Sequence, residues 1–377
     1  MNPIRILHVV RAGRAEGGME NGIVNLVNRM DQRFALSVCA LDSEETFSAR
    51  ISRPGARCFV LPPRREGMDW SFIHRLVSLI RREQIDIIHS HNWGTFIYSV
   101  LAGRLAGVGI IHGEHGKNFT ELGAEGRAKR LAKTWLGREA DLLLCVCDDI
   151  RGEWLARYAV APQRIRTIHN GVDSLRFAPA PSPEARRALG LPQDAYVAGT
   201  VGSFDPIKNQ AALMGAVARL AQEIPALHAV FIGSGRLEAE LRQMAEASCL
   251  SGRIHFPGLR RNVEQLLPAF DVFVLPSISE GMSNVLLEAM SCGVPPICTD
   301  LASHREIVTP GLDAILLQPC NEVTLAEALR DLHLNEPARF RLADSARRTI
   351  LERFTLEGMI HTYEEAYVEV MSRRGGG

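Results

Sequence analysis

Two glutamates separated by seven residues, Glu280 and Glu288, carry the strongest chemical signal in this sequence. Glu280 lies in a predicted loop, and Glu288 lies inside a predicted helix that begins near Asn284. Backbone amides at a helix start can hold a diphosphate, and flanking carboxylates can accept hydrogen bonds from sugar or ribose hydroxyls. Glutamates at this spacing are also common on solvated helices, but the glycine and the apolar residues around them favour a ligand site. The residues predicted to line it between the two glutamates are Gly281, Met282, Ser283 and Asn284.

A lysine, Lys208, follows the first predicted strand of the second half of the chain, within the segment 201–209. At a turn of this kind, a lysine can reach phosphate oxygens as a mobile point charge. No Gly-x-Gly-x-x-Gly segment follows a predicted strand, and the chain contains no Walker A sequence. These absences argue against a dinucleotide-dependent dehydrogenase and against a nucleoside triphosphatase.

Four histidines lie at or near the ends of two predicted strands in the first half: His89, His91, His112 and His115. A zinc site would need three or four such ligands and a supporting second shell. The glycines around His115 favour an anion or sugar site instead, so we interpret His115 as a neutral hydrogen-bonding group at a reacting sugar. A loop histidine without a catalytic role is the alternative. After the first strand, Gly18 lies at the predicted start of a helix, where the absence of a side chain could let backbone amides approach an anion. A flexible turn before the helix is the alternative.

Short apolar runs alternate with segments of helical period almost from end to end, which is the pattern of parallel strands joined by crossover helices. These strands would position the residues named above. The alternation predicts an α/β protein with two Rossmann-like, doubly wound domains, residues 1–175 and 176–354. A stiff, proline-containing linker is predicted within 173–191, and the final helix, 355–371, is predicted to pack back on the first domain. Ligands of such sheets collect at the carboxyl ends of strands, so the two domains are expected to face a shared cleft.

The individual elements follow from the same periodicity. Strands are predicted at 4–10, 35–41, 56–61, 85–89, 108–112, 141–146, 165–168, 196–201, 227–232, 253–256, 271–275 and 295–298. Helices are predicted at 20–30, 70–83, 95–106, 209–223, 237–247, 284–292 and 324–333.

The composition limits the class of protein. Among 377 residues, 43 Lys and Arg balance 43 Asp and Glu, so the formal net charge is zero. A nucleic-acid-binding protein needs an excess of basic residues to replace phosphate counterions, so the balance argues against this class. The eight cysteines are scattered among apolar residues and are predicted to be buried free thiols, which fits a reducing cytoplasm. No run of about 18 apolar residues predicts a membrane span.

A basic amphipathic helix is predicted over 125–138. Such a helix can lie on an anionic membrane surface, which would make the protein a peripheral one. A plain solvated surface helix is the alternative, since lysine and arginine commonly line exposed faces. Its basic residues are Arg127, Lys129, Arg130, Lys133 and Arg138.

The ordered set of motifs resembles glycosyltransferase family 4, whose hallmark is a Glu-x7-Glu segment like Glu280 to Glu288. The likeness spans almost the whole chain. It implies the GT-B fold and transfer of a sugar from a nucleotide-diphosphate donor with retention of the anomeric configuration, the leaving phosphate deprotonating the acceptor. The other motifs are Gly17-Gly18-Met19-Glu20, His115-Gly116, Asn170-Gly171-Val172-Asp173, the segment 201–209, Gly233-Ser234-Gly235 and Phe256-Pro257-Gly258.

The resemblance assigns roles in the second domain residue by residue. It implies that Glu288 binds the ribose, that Glu280 contacts hydroxyls of the donor sugar, and that Lys208 holds the diphosphate. The base of the nucleotide would lie near Pro257, Gly258 and Leu259.

Two further roles and one departure follow from the same likeness. Gly18 would let the first domain approach the donor phosphate, and His115 would lie beside the anomeric carbon. The family usually has an arginine where this chain has Ser203, so one phosphate cation is absent or is supplied from elsewhere. No Asp-x-Asp occurs in the chain, and this is the pattern with which metal-dependent glycosyltransferases commonly chelate the diphosphate. No metal or other cofactor is therefore expected.

A finer likeness to sugar transferases of bacterial exopolysaccharide loci suggests a glycan or lipid-linked acceptor. Two other functions remain open at this stage. A GT-B nucleotide-sugar 2-epimerase would share the scaffold but would lack the Glu-x7-Glu pattern. A non-catalytic nucleotide-sugar or glycan-binding protein would be expected to have lost one of the two glutamates or Lys208, and all three are present.

Overall fold

The computed structural model describes residues 3–11, 17–41, 49–61, 69–116, 125–248, 250 and 252–375. The chain divides into two compact units. The first contains Met1–Asn170 and Glu357–Gly377, and the second contains Gly171–Leu356. The C-terminal helix therefore belongs to the first unit.

The first unit is built on a seven-stranded parallel sheet with the order β3-β2-β1-β4-β5-β6-β7. Crossover helices cover its faces, which explains why its strands are apolar almost throughout. Its strands are β1 (Ile4–Val10), β2 (Phe34–Ala40), β3 (Arg57–Val60), β4 (Ile87–His91), β5 (Gly109–Glu114), β6 (Leu142–Cys145) and β7 (Ile165–Thr167). Its helices are α1 (Gly18–Arg29), α2 (Trp70–Arg82), α3 (Trp93–Ala106), α4 (Arg127–Glu139), α5 (Asp148–Tyr158) and the C-terminal α14 (Leu356–Gly375).

The second unit is built on a six-stranded parallel sheet with the order β10-β9-β8-β11-β12-β13. Its strands are β8 (Tyr196–Val201), β9 (Leu227–Ile232), β10 (Ile254–Gly258), β11 (Val272–Leu275), β12 (Pro296–Thr299) and β13 (Ile315–Leu317). Its helices are α6 (Ser182–Ala188), α7 (Gln210–Leu220), α8 (Glu238–Ala247), α9 (Val263–Leu266), α10 (Asn284–Ser291), α11 (Ala302–Arg305), α12 (Glu322–Leu334) and α13 (Glu336–Arg353).

The strand order reverses once in each sheet. In the first, β1 lies between β2 and β4, and in the second, β8 lies between β9 and β11. At such a reversal the loops leaving two neighbouring strands diverge to opposite faces and leave a crevice where ligands bind. The carboxyl ends of these two strand pairs are therefore where functional residues are expected.

Six of these elements were not predicted from the sequence: α5, α6, α9, α11, α13 and β13. Part of the segment predicted as a linker, 173–191, forms α6 within the second unit. Proline occupies the first turn of α6, where its missing amide hydrogen costs nothing. The prolines that suggested a linker therefore start a helix.

Seven cysteines lie in the described part of the chain, and all seven are free thiols, as predicted. Six of them are buried, and Cys58 is half-buried. The eighth, Cys249, lies outside the described residues. Among the described helices, none is both long and apolar enough to cross a membrane.

Candidate active site

In the second unit, backbone hydrogen bonds join the loops that follow β8, β9 and β10. The Gly202 amide donates to the Ile232 carbonyl at 2.9 Å, and the Gly233 amide donates to the Gly258 carbonyl at 3.0 Å. Gly233 has a φ of 143°, and a Cβ at this position would lie 1.9 Å from the Gly202 carbonyl oxygen. Only glycine permits this approach. The glycine motifs singled out in the sequence are thus in contact with one another at the carboxyl edge of the sheet.

Lys208 and Glu280 meet although 72 positions separate them in the sequence. Lys208 ends a short 3₁₀ turn after β8, and Glu280 follows the neighbouring strand β11. The Lys208 Nζ lies 2.6 Å from the Glu280 Oε1. The Ile278 amide donates to the Ile207 carbonyl at 2.8 Å, which ties the two loops together. The ion pair therefore sits at the strand-order reversal of the second sheet.

The two glutamates of the Glu-x7-Glu segment differ in charge. Burial opposes ionisation of Glu280, but the adjacent Lys208 ammonium outweighs it, so the pKa of Glu280 lies below its usual value. Burial raises the pKa of Glu288 to about 8, and Arg176 offsets only part of this effect. At neutral pH, Glu280 is a carboxylate, whereas Glu288 is a carboxylic acid that can both donate and accept hydrogen bonds.

The helix that contains Glu288, α10, begins at Asn284, as predicted from the sequence. Ser283 occupies the N-cap of α10, and its side chain makes no capping hydrogen bond. Residues 281–283 are buried. The positive end of the α10 dipole thus lies at the turn that carries Glu280, an arrangement suited to an anion.

The serine at the position of the family arginine lies in the loop after β8. A cation that the sequence analysis did not consider reaches this loop, since the Arg236 Nε lies 3.3 Å from the Asp205 Oδ1. On the neighbouring loop, Gly258 has a φ of 79° and the Leu259 side chain is exposed. The position of the nucleotide base near these residues stays a prediction.

His304, at the end of α11, is a buried residue that the sequence analysis missed. Its Nδ1 lies 2.7 Å from the Thr299 carbonyl oxygen, so Nδ1 donates and Nε2 carries the lone pair. Among the described residues, nothing hydrogen-bonds to this buried Nε2. Burial lowers the pKa of His304, and the charges of Glu280 and Lys208 act on it as well. His304 therefore belongs to the surroundings of the Lys208 and Glu280 pair.

In the first unit, hydrogen-bonded imidazoles link β1, β4 and the residue after β5. The His8 Nδ1 lies 2.9 Å from the His91 Nε2, and the His91 Nδ1 lies 2.9 Å from the His115 Nε2. His89 lies opposite His8 in the sheet, and its Nδ1 lies 2.9 Å from the Tyr367 hydroxyl of α14. His8 was not predicted as a site residue because it lies within an apolar strand, and only the pairing of β1 with β4 reveals its neighbours.

His112 takes no part in this chain of imidazoles. Its Nδ1 lies 2.9 Å from the Ser90 Oγ, and its ring stacks on Phe96 with the centroids 3.6 Å apart. Side chains of successive strand residues point to opposite faces, which separates His112 from the histidines of β4. Of the four histidines named from the sequence, His89, His91 and His115 lie together, and His8 joins them.

The clustered histidines are neutral. Burial lowers the pKa of His8 to about 3 and the pKa of His115 to about 4, and it holds the pKa values of His89 and His91 well below the usual value. Ring nitrogens of His8, His89 and His91 lie within 4.8 Å of one another, and neutral imidazoles are metal ligands. An ion there would compete with the hydrogen bonds that already occupy both nitrogens of His91.

Gly18 is the first residue of α1, the helix that follows β1 in the chain. Asn92 connects this helix to His115, because its Nδ2 lies 3.3 Å from the Met19 Sδ and its Oδ1 accepts from the His115 amide at 3.2 Å. Gly18 and His115 therefore lie at the same edge of the first sheet.

The basic helix α4 does not expose all its cations. The Lys133 Nζ lies 3.3 Å from the Glu125 Oε1 and 5.2 Å from the centre of the Tyr158 ring, so it faces the protein. Leu131 and Trp135 are 71% and 46% exposed. The exposed cations of the helix are Arg127, Arg130 and Arg138.

Two family models match the chain in sequence. Residues 16–176 match the model described as Glycosyltransferase Family 4, and residues 181–349 match the model described as Glycosyl transferases group 1. The Bacillus subtilis glycosyltransferase EpsF is 29% identical to this chain over 82% of each chain. The Escherichia coli UDP-Gal:alpha-D-GlcNAc-diphosphoundecaprenol alpha-1,3-galactosyltransferase is 28% identical over 80% of each chain.

Among solved structures, HepE from Anabaena in complex with UDP-glucose is similar, with a TM-score of 0.85. The match covers 97% of this chain and 99% of HepE at 20% sequence identity. At this identity the likeness concerns the fold, and it confirms the predicted two-domain α/β architecture.

Proposed function

Because this chain belongs to glycosyltransferase family 4, we propose that it transfers a sugar from a nucleotide-diphosphate donor to a glycan or lipid-linked acceptor, with retention and without a metal ion. The observation that carries this proposal is the Lys208 and Glu280 ion pair beside the N-terminus of α10. It combines a cation, a carboxylate and a positive helix end at the strand-order reversal of one parallel sheet. These are the groups that a diphosphate and the hydroxyls of its sugar require.

The proposed chemistry follows from the charges. As the bond between the sugar and the phosphate breaks, negative charge grows on the leaving diphosphate. The Lys208 ammonium and the amides at 282–284 would stabilise that charge. Glu280 would accept hydrogen bonds from sugar hydroxyls, and Glu288 would bind the ribose. The leaving phosphate would take the proton of the acceptor on the same face of the sugar, which gives retention.

The donor and acceptor classes are proposed from the relatives. HepE binds UDP-glucose, and the galactosyltransferase of Escherichia coli is named for a UDP-sugar and a diphosphoundecaprenol-linked acceptor. A uridine nucleotide is therefore the first donor to test, and a lipid-linked oligosaccharide of bacterial polysaccharide synthesis is the first acceptor. The cytoplasm would supply the donor.

UDP-sugars are expected to raise the melting temperature of the protein by several degrees in a panel of UDP-, ADP- and GDP-sugars, because a ligand specific to the native state stabilises it by mass action. The best donor is then incubated with lipid-linked and free glycans, and the product is analysed by mass spectrometry and for anomeric configuration. Isomerisation of the donor alone would identify a 2-epimerase. Donor binding without transfer to any acceptor would favour a non-catalytic binding protein.

A lipid-linked acceptor would place the protein at a membrane surface, and we propose that α4 makes this contact. Its exposed arginines flank the exposed Leu131 and Trp135. Sedimentation with anionic liposomes at low salt should fall at least about tenfold in the double variant Arg127→Glu, Arg130→Glu, because each basic residue near such a surface contributes about 1 kcal/mol. The matched control reverses two exposed arginines of α13, Arg341→Glu and Arg348→Glu. Equal sedimentation of both variants, or none by the wild type, would remove α4 from the proposal.

A further inference from the structure

We propose that His91, backed by His8, is a positioning residue that holds His115 in the tautomer with hydrogen on Nδ1, so that His115 presents an N–H donor to the reacting sugar. The part that concerns the sugar rests on the proposed function. The tautomer itself is a property of the first unit alone.

The three rings form a chain in which each contact joins one nitrogen to one nitrogen. His8 uses Nδ1, His91 uses both of its nitrogens, and His115 uses Nε2, with 2.9 Å at both contacts. Each contact needs one N–H and one lone pair, and a neutral imidazole carries a single N–H. The proton on any one ring therefore fixes the protons on the other two.

Only two arrangements satisfy both contacts. If the hydrogen bonds run from His8 to His115, His8 and His91 donate from Nδ1, and His115 accepts at Nε2 and carries its hydrogen on Nδ1. If they run the other way, His115 and His91 donate from Nε2, and His115 is left with a lone pair on Nδ1. The direction of the hydrogen bonds among the three imidazoles thus decides whether the Nδ1 of His115 is a donor or an acceptor.

The environment of His8, at the end of the three imidazoles farthest from His115, determines the direction of the hydrogen bonds. The His8 Nε2 is buried and, within the described residues, has no hydrogen-bond partner. In the first arrangement this atom is an unpaired lone pair, and in the second it is an unpaired N–H. In protein backbones, buried N–H groups without an acceptor are rarer than under-satisfied acceptors, and we extend this preference to the ring nitrogens of His8. The first arrangement is therefore favoured, with His115 as the Nδ1–H tautomer.

Gly113 leaves space for the contact between the His91 and His115 rings. A Cβ on Gly113 would lie 3.0 Å from the His115 Nε2 and 3.2 Å from the His91 Nδ1, the two atoms of the second hydrogen bond. A side chain there would press on that bond from one side. Glycine at this position leaves the two rings free to approach.

A neutral donor suits the proposed reaction better than a charged one. Cleavage of a glycosidic bond to phosphate leaves positive character on the sugar ring, as in other glycosyl transfers. An imidazolium beside it would oppose this charge, whereas a neutral N–H can bind a sugar hydroxyl oxygen without doing so. Burial of His8 and His91 keeps the supporting rings uncharged as well.

The decisive measurement is the tautomer of His115, read from imidazole ¹⁵N and ¹³C chemical shifts of histidine-labelled protein without substrate and assigned with His115→Gln. We expect the Nδ1–H form in the wild type. His91→Leu should shift His115 toward the Nε2–H form, because it removes the donor to Nε2. His91→Asn, whose amide can replace the Nδ1–H, should retain the wild-type tautomer. An Nε2–H signal in the wild type would overturn the proposal without any variant.

Transfer kinetics test the consequence. His91→Leu should lower kcat by about 10- to 100-fold with little change in the KM for the donor, and His91→Asn should recover most of the loss. If His91→Leu folds and its His115 keeps the Nδ1–H tautomer, the positioning role is wrong. Because the spectra need no substrate, absence of transferase activity would overturn the proposed function and leave the tautomer assignment intact.

Discussion

Replacing Lys208 by alanine is expected to lower the turnover number for sugar transfer by at least about 100-fold while the protein stays folded. A positioned donor that stabilises charge developing in the transition state typically contributes about 10²–10³ in rate. In this chain Ser203 stands where a second phosphate cation would be expected, so Lys208 should carry more of that task. The measurement is steady-state transfer by wild type and Lys208→Ala, each with and without EDTA.

Loss of Lys208 also leaves the Glu280 carboxylate without its ion-pair partner, since the Lys208 Nζ lies 2.6 Å from the Glu280 Oε1. The double variant Lys208→Ala, Glu280→Gln removes that unpaired charge, and Glu280→Gln alone measures the effect of weakening the proposed contact to the sugar. Turnover of the double variant equal to that of Glu280→Gln would mean that Lys208→Ala failed because of the unpaired carboxylate. A further loss below the turnover of Glu280→Gln is expected if Lys208 acts on the leaving phosphate.

A matched control is available in the first unit, where Lys133 and Glu125 form another partly buried ion pair. Lys133→Ala should reduce stability modestly and leave turnover within a few-fold of the wild type. Chelation with EDTA should not lower wild-type turnover. Near-normal turnover of Lys208→Ala, or wild-type activity abolished by EDTA and restored by a metal, would refute this account of leaving-group stabilisation.

Gly233→Ala is expected to destabilise the second unit by at least about 3 kcal/mol. Its φ of 143° lies in a region that other residues adopt only at considerable cost. In addition, a Cβ there would lie 1.9 Å from the Gly202 carbonyl oxygen, a backbone atom that cannot move without breaking the contact between the loops after β8 and β9. The matched control is Gly252→Ala, where no atom lies within 4 Å of the new Cβ.

The location of the tryptophans makes this test specific. All four, Trp70, Trp93, Trp135 and Trp154, lie in the first unit, so their fluorescence reports on that unit. Hydrogen exchange of the β8, β9 and β10 amides reports on the second. Gly233→Ala should lower the protection of these amides from exchange while the tryptophan fluorescence stays unchanged. Gly252→Ala should leave the fluorescence unchanged and should alter the free energy of opening measured by exchange by no more than about 1 kcal/mol. Equal protection in both variants would show that the glycine contact is not required.

The sequence alone predicted the family, the α/β class and nearly all strands of both sheets. Strands such as β1, β8 and β9 were predicted with their observed bounds, because an apolar run between turn residues is a local pattern that the chain itself displays. The Glu-x7-Glu segment and the α10 start near Asn284 are local in the same sense. Proline was one source of error, since the residue that suggested a linker at 179–183 also favours the first turn of a helix such as α6.

What only the tertiary structure decided is which of these residues meet. Lys208 and Glu280 are 72 positions apart, and they pair because β8 and β11 are neighbours in the sheet. His8 and His91 are 83 positions apart, and they meet because β1 and β4 are neighbours. Periodicity shows that a strand exists but does not reveal its neighbour, since strand order depends on how the crossover helices pack. Charge states depend on that packing too, because burial lowers the pKa of His115 and raises that of Glu288 only once the folded chain has removed water from both.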